Sequence, residues 1–298
     1  MGNKSSKSKK NKEQDKTFTV QPVQYSDNVL SKREWVKPKE EFKLITENYK
    51  TYSELEEGLR KAGLESSQLI VGVDFTKSNT WQGGYPYYKY KNLHEIDPKC
   101  PNPYQQVLTI MCKTLAPFDD DQLIDAFGFG DNFTKNNSVF PFLSKNFNGL
   151  DFAQQCDKLE GVLDRYNSLL PLITPSGPTS FAPIIRKATE LVKSRKEYHI
   201  LLIIADGAVD DMDETIKSIV EASKHPLSII CIGVGKGPWH KMTELDINIP
   251  KREFDNFHFV NFYEIMNECE NEEIEFAKHA MMEIPEQYTF IKNFILSR

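Results

Sequence analysis

Five short runs of apolar residues, rich in β-branched and aromatic side chains, punctuate this 298-residue chain. They fall at residues 69–74, 123–129, 199–205, 227–234 and 257–261. A strand this uniformly apolar is covered on both faces. Amphipathic stretches separate the runs. Thr51 caps a helix that ends near Gly63, and helical spacing also marks 103–115, 156–170, 179–194, 212–224 and 272–282. Pro171 stops the third of these stretches, and Pro183 sits near the first turn of the fourth. Buried strands alternating with helices predict an α/β fold: a doubly wound, mostly parallel sheet with helices on both faces.

Ligands of such sheets bind beyond the carboxyl ends of the strands. The first run delivers Asp74, Thr76 and Ser78 there, at i, i+2 and i+4. The run from His199 delivers Asp206, and Thr179 and Ser180 stand at a predicted helix start. Three segments thus bring hard oxygen donors to one edge. That donor set suits Mg2+, with Mn2+ or Ca2+ as substitutes. Two carboxylates balance the ion's charge, and neutral hydroxyls leave it able to accept a further anion.

With Thr76 in the third place, these residues resemble D-x-S-x-S with a later Thr and a later Asp, the metal-ion-dependent adhesion site of von Willebrand factor A domains. Residues 73–79, 177–185, 203–207, 226–229, 233–239 and 254–257 are similar to the copine-type A domain, and the likeness runs from about Tyr52 to about Tyr288. It extends to the plant ubiquitin ligases that join such a domain to a RING. The resemblance implies that Asp74, Thr76, Ser78, Thr179 and Asp206 are the metal-site residues. Residues 1–43 lack sustained periodicity and read as a disordered basic tail and linker, and the resemblance implies a copine-type A domain over 44–298. Thr76 stands where integrin-type domains carry Ser; its hydroxyl can still ligate. About 50 residues precede the domain, so the paired C2 domains of copines are not expected. His279 is the only Cys or His after Cys269, so a RING is not expected, nor ubiquitin transfer by the chain itself.

The N-terminus reads as a processing signal. Met1-Gly2-Asn3-Lys4-Ser5-Ser6 fits the myristoylation pattern, with Gly2 as acceptor. One acyl chain anchors marginally and needs a second signal. Lys4, Lys7, Lys9, Lys10 and Lys12 supply one, at roughly 1 kcal/mol each near an anionic leaflet. Residues 1–16 carry six lysines against two carboxylates, so a chain of net charge −6 has an acidic body of −10 behind a basic tail. An acidic body argues against nucleic-acid binding. The longest clean apolar run, 200–205, is too short to span a bilayer.

Other signals are weaker. The five cysteines (Cys100, Cys112, Cys156, Cys231 and Cys269) form no C-x-x-C, so a reducing compartment is expected and Cys231 reads as a buried thiol. The six histidines show no metal spacing, and no nucleophile motif is present. Gly233-x-Gly235-x-Gly237 reads as a tight turn rather than a dinucleotide loop, and Gly128-Phe129-Gly130 as another turn. The aromatic segment 81–88 reads equally as a partner surface or as a packed loop. These readings give a membrane-associated, divalent-metal-dependent protein-binding module and not an enzyme. Its expected partner offers an acidic residue to the metal. Its expected location is the cytoplasm and the cytoplasmic face of the plasma membrane or other membranes. The alternative is a substrate-recruiting component of ubiquitination.

Overall fold

The computed structural model describes residues 47–85, 88–143, 155–207, 209–267 and 271–297. Gly2 and the tail lysines lie outside the described residues. In chain order the elements are α1 (Tyr52–Lys61), β1 (Gln68–Asp74), α2 (Pro103–Leu115), β2 (Leu123–Phe129), β3 (Phe140–Pro141), β4 (Cys156–Asp157) and α3 (Lys158–Leu169). There follow α4 (Ala182–Arg195), β5 (His199–Ala205), α5 (Met212–Ala222), β6 (Leu227–Gly233), α6 (His240–Asn248), β7 (Phe257–Asn261), α7 (Phe262–Met266), α8 (Glu272–Met281) and α9 (Ile284–Phe294).

The sheet runs β3-β2-β1-β5-β6-β7, with β4 also on β2. β2, β1, β5, β6 and β7 are parallel; the short β3 and β4 are antiparallel. Alternation along each strand fills two cores. Leu69, Val71 and Val73 of β1, with Ile200, Leu202 and Ile204 of β5, face α1, α2, α3, α8 and α9. Ile70, Leu201, Ile203 and Ala205 face the other way, onto α4, α5 and α6. The doubly wound α/β expectation therefore holds.

Some boundaries differ from expectation. Residues 156–170 do not form one helix. Cys156 and Asp157 pair with Ile124 and Leu123 as a strand, and Lys158 takes a left-handed φ of 54° that turns the chain into α3. Residues 170–172 then tighten into a 3-10 turn before the break. The helix placed at 179–194 starts at Ala182, so Thr179 and Ser180 precede it in a loop. Helices α6, α7 and α9 were not foreseen. α9 buries Ile284, Tyr288 and Ile291 at helical spacing, whereas α6 buries little apolar surface beyond Met242 and Leu245.

Candidate metal centre

From β1 the chain turns one way to β2, then crosses back past β1 to β5. The carboxyl ends of β1 and β5 are therefore the switch point of the sheet, where the strand order opens a crevice. Val73 pairs with Ile204 in register. Asp74, ending β1, and Asp206, just past β5, thus stand side by side at that crevice.

Both aspartates are almost fully buried, as are Thr76 and Thr179; Ser78 is half-buried. The Thr76 N–H donates to Asp74 Oδ1 at 2.7 Å, closing a turn that lifts the loop off the strand. Residues 77–80 form a 3-10 turn. It brings Ser78 Oγ within 3.0 Å of Thr76 Oγ1 and lets Ser78 donate to Asp206 Oδ1 at 3.0 Å. Four of the five expected residues are thus joined by hydrogen bonds or strand register. Thr179 arrives on its own loop. The Lys77 N–H donates to Ser176 O at 2.6 Å and the Ser176 N–H to Gly130 O at 3.0 Å, fastening that loop to the ends of β1 and β2. The Thr179 N–H donates to Asp210 Oδ2 at 2.8 Å.

Asp74 Oδ2 and Asp206 Oδ2 are buried and make no hydrogen bond. Burial raises the Asp74 carboxyl above its usual range. Burial, and then the charge of Asp74, raises Asp206 well above its usual range. Facing carboxylates with unpartnered buried oxygens are an arrangement that a divalent cation completes. The residues brought together fit such an ion: two carboxylates and the hydroxyls of Thr76 and Ser78, all hard oxygen donors, while the Thr179 hydroxyl is not shown to contact them.

A supporting layer escaped the sequence reading. Asn79 is fully buried, and its Nδ2 donates to Asp74 O at 3.2 Å and Thr76 O at 3.1 Å. Its Oδ1 accepts from Tyr104 Oη at 2.6 Å. His94 Nε2 lies 3.0 Å from Asp74 O, which can only accept, so the ring proton is on Nε2. Its Nδ1 accepts from Tyr166 Oη at 2.7 Å. Burial pushes the His94 pKa down to about 3, so the ring is neutral. His94 stacks between Phe75 and Tyr104, at 4.9 and 4.1 Å. Asn79, one residue past the motif, could have been suspected from its position. His94, Tyr104 and Tyr166 carry no such signal, since only the fold brings them beneath β1.

Two glycine turns complete the frame. Gly130 has φ 83°, and a Cβ there would lie 2.4 Å from Thr76 Cγ2. At Gly235 a Cβ would lie 2.3 Å from Asp206 O. The glycine runs are not turns throughout: Gly128 and Phe129 belong to β2 and Gly233 ends β6, and the chain bends only past them, where Gly130 and Gly235 press against the candidate site. In the aromatic segment, Trp81 and Tyr85 are exposed while Tyr88 packs edge-on against Tyr263 at 6.0 Å. Cys112, Cys156 and Cys231 are buried and Cys100 is exposed; Cys269 lies outside the described residues.

The profile of the copine family matches residues 92–297, more than half of the chain. The chain belongs to the copine family. The E3 ubiquitin-protein ligase RGLG2 of Arabidopsis thaliana is 48% identical over 260 residues, covering 82% of this chain and 54% of the ligase. Copine family protein 2 of Caenorhabditis elegans is 46% identical over 245 residues, covering 82% of this chain and 3% of the worm protein. This copine chain thus spans about half of that plant relative and a small part of the worm one. Among solved structures, a von Willebrand factor type A protein from Catenulispora acidiphila is 9% identical with a TM-score of 0.45, covering 75% of this chain and 43% of the other. The manganese-loaded TRAP protein of Plasmodium vivax is 14% identical with a TM-score of 0.42, covering 78% and 74%. The chain is accordingly a copine-family domain with a mostly parallel α/β sheet.

Proposed function

We propose that this copine domain is a divalent-metal-dependent protein-binding module that works at a membrane surface. The observation that carries the reading is the pair of buried, unpartnered oxygens, Asp74 Oδ2 and Asp206 Oδ2, at the switch point. Asp74 and Asp206 would supply the charge that holds Mg2+ or Mn2+; Thr76, Ser78 and Thr179 would supply neutral oxygens. The bound ion would supply a Lewis-acid position for an acidic side chain of a partner. Asn79 and His94 hold the Asp74 carbonyl and its loop in place, so little reorganisation accompanies binding. Trp81, Phe133 and Leu172 are exposed on loops around this edge, and the Asn132 N–H joins two of those loops by donating to Thr174 O at 2.9 Å. Exposed apolar side chains beside a charged centre suit a protein partner.

Affinity capture from cell lysate, with and without chelator, tests this reading. Wild type should retain proteins that both chelation and Asp74→Ala release; a bound set unchanged by either contradicts metal-dependent capture.

Membrane attachment rests on the sequence of the tail. An acyl chain on Gly2 brings roughly 0.8 kcal/mol per buried CH2, more in total than the lysines. Gly2→Ala should therefore move most of the protein to the soluble fraction. Replacing Lys4, Lys7, Lys9, Lys10 and Lys12 by Gln should weaken vesicle binding at low salt and matter less at high salt. A Gly2→Ala protein that stays on membranes would place the anchor elsewhere.

A second reading, recruitment of substrates for ubiquitination, is favoured by the likeness to the plant ligases. It assigns transfer to a separate ligase. The purified chain, given activating and conjugating enzymes, should form no ubiquitin conjugates; robust self-modification would contradict that assignment.

A further inference from the structure

At the far side of the sheet from β2, three buried side chains from distant parts of the sequence converge. Asp246 lies on α6, His258 on β7, and Glu283 caps α9; their ligand-type atoms all lie within 4.8 Å of one another. His258 Nε2 is 2.9 Å from the carbonyl oxygen of His279. A carbonyl only accepts, so Nε2 carries a proton and Nδ1 faces the two carboxylates; burial opposes charging the ring, but with no ion between them Glu283 and Asp246 outweigh it and raise the His258 pKa to about 10, so a metal ion would take the place of the Nδ1 proton. Nδ1 is 3.4 Å from Asp246 Oδ1 and 3.2 Å from Glu283 Oε1. It is buried and makes a geometrically acceptable hydrogen bond to neither. A proton placed on Nδ1 would point between the two oxygens rather than at one.

Those separations suit a cation better than a proton. Atoms bound about 2.0–2.1 Å from a tetrahedral Zn2+ stand roughly 3.3–3.4 Å apart, whereas charged N–H···O bonds run about 2.7–2.9 Å. The outer shell is in place too. The His258 ring is oriented through its other nitrogen by a backbone carbonyl, the usual arrangement behind a metal-bound histidine. Asp246 Oδ1 accepts from the Phe259 N–H at 2.7 Å, and Glu283 Oε2 accepts from Gln287 Nε2 at 3.3 Å. One imidazole and two carboxylates carry two negative charges, which a divalent ion neutralises.

We propose that Asp246, His258 and Glu283 form a second metal site, closed to solvent and suited to a borderline ion such as Zn2+ rather than to Mg2+, one carboxylate binding through both oxygens to make up four donors. Nitrogen in the donor set separates it from the all-oxygen centre at Asp74 and Asp206. Its role is structural: it ties α6, β7 and the α8–α9 junction together at the edge of the sheet.

The test uses the full chain carrying Asp74→Ala and Asp206→Ala, which silences the first centre. After dialysis against buffered Zn2+ this double variant should retain one equivalent of zinc. Adding Glu283→Gln, a change of equal size, should weaken zinc binding by more than the roughly 100-fold that loss of an outer-shell partner costs. Co2+ in the double variant should give hyperfine-shifted proton resonances from a single histidine ring, which settles the matter even where Glu283→Gln fails to fold. A double variant that retains no zinc, or the same affinity after Glu283→Gln, or a Co2+ complex without shifted ring protons, would overturn the site and leave a proton shared among the three side chains.

Discussion

Asp206→Asn should be at least as stable as wild type in chelator and clearly less stable in saturating Mg2+ or Mn2+. The inversion follows from the geometry. Without a cation, Asp74 and Asp206 are two buried carboxylates, and burial together with the Asp74 charge holds Asp206 well above its usual range. A carboxyl raised in the folded state costs stability once pH passes its unfolded value, because the fold then binds more protons than the unfolded chain. Asparagine removes that cost and can still accept from Ser78 at Oδ1. With a cation the sign reverses. Ion at about 100 times its dissociation constant stabilises the native state by about 2.7 kcal/mol. At roughly 2–4 °C per kcal/mol for a domain of this size, that raises Tm by about 5–10 °C. Differential scanning fluorimetry in chelator and in metal reads both halves. An Asp206→Asn protein that keeps the wild-type metal shift would place the ion elsewhere.

Gly235→Ala should abolish the same metal shift although every candidate ligand residue is kept. A Cβ at Gly235 would stand 2.3 Å from Asp206 O and about 3.1–3.2 Å from its C and Cα, so backbone rather than a pliable side chain must move. Overpacking of that kind costs about 1–3 kcal/mol, and the displaced Asp206 no longer faces Asp74. Gly207 is the control. It is next to Asp206 in sequence, yet a Cβ there meets nothing within 4 Å. Gly207→Ala should keep both the stability and the metal response of wild type. A normal metal shift in Gly235→Ala would show that the β6 turn does not position Asp206.

The difference between these two glycines shows where sequence reading stops. The strands were legible because a residue buried on both sides of a sheet leaves an unbroken apolar run; 123–129, 199–205 and 257–261 match the strands to the residue. Residues 156–170 were misread because Cys156, Leu159 and Leu163 keep a helical apolar spacing through the strand β4, while the left-handed turn at Lys158 carries no Gly to announce it. α6 offers too few apolar positions to show a period. At the candidate metal centre, Asp74, Thr76 and Ser78 were readable because one turn places all three. Asp206 was readable as the residue that the 199–205 strand delivers to the same edge, and Thr179 from its place near a helix start; the likeness to von Willebrand A domains then named the five together. His94 and Tyr166 support the Asp74 carbonyl from 20 and 92 residues away, where no local pattern can reveal them. Asp246, His258 and Glu283 are likewise dispersed over three elements and become a group only in the folded chain.

A divalent cation between Asp74 and Asp206 would show directly in crystals of the full chain grown in Mn2+, as anomalous difference density. A manganese peak is expected at the carboxyl ends of β1 and β5, within coordination distance of oxygens from both the Asp74–Ser78 loop and Asp206, and should be lost in Asp74→Ala crystals grown the same way. Density without a manganese peak at that crevice, with both carboxylates ordered, would contradict a cation there.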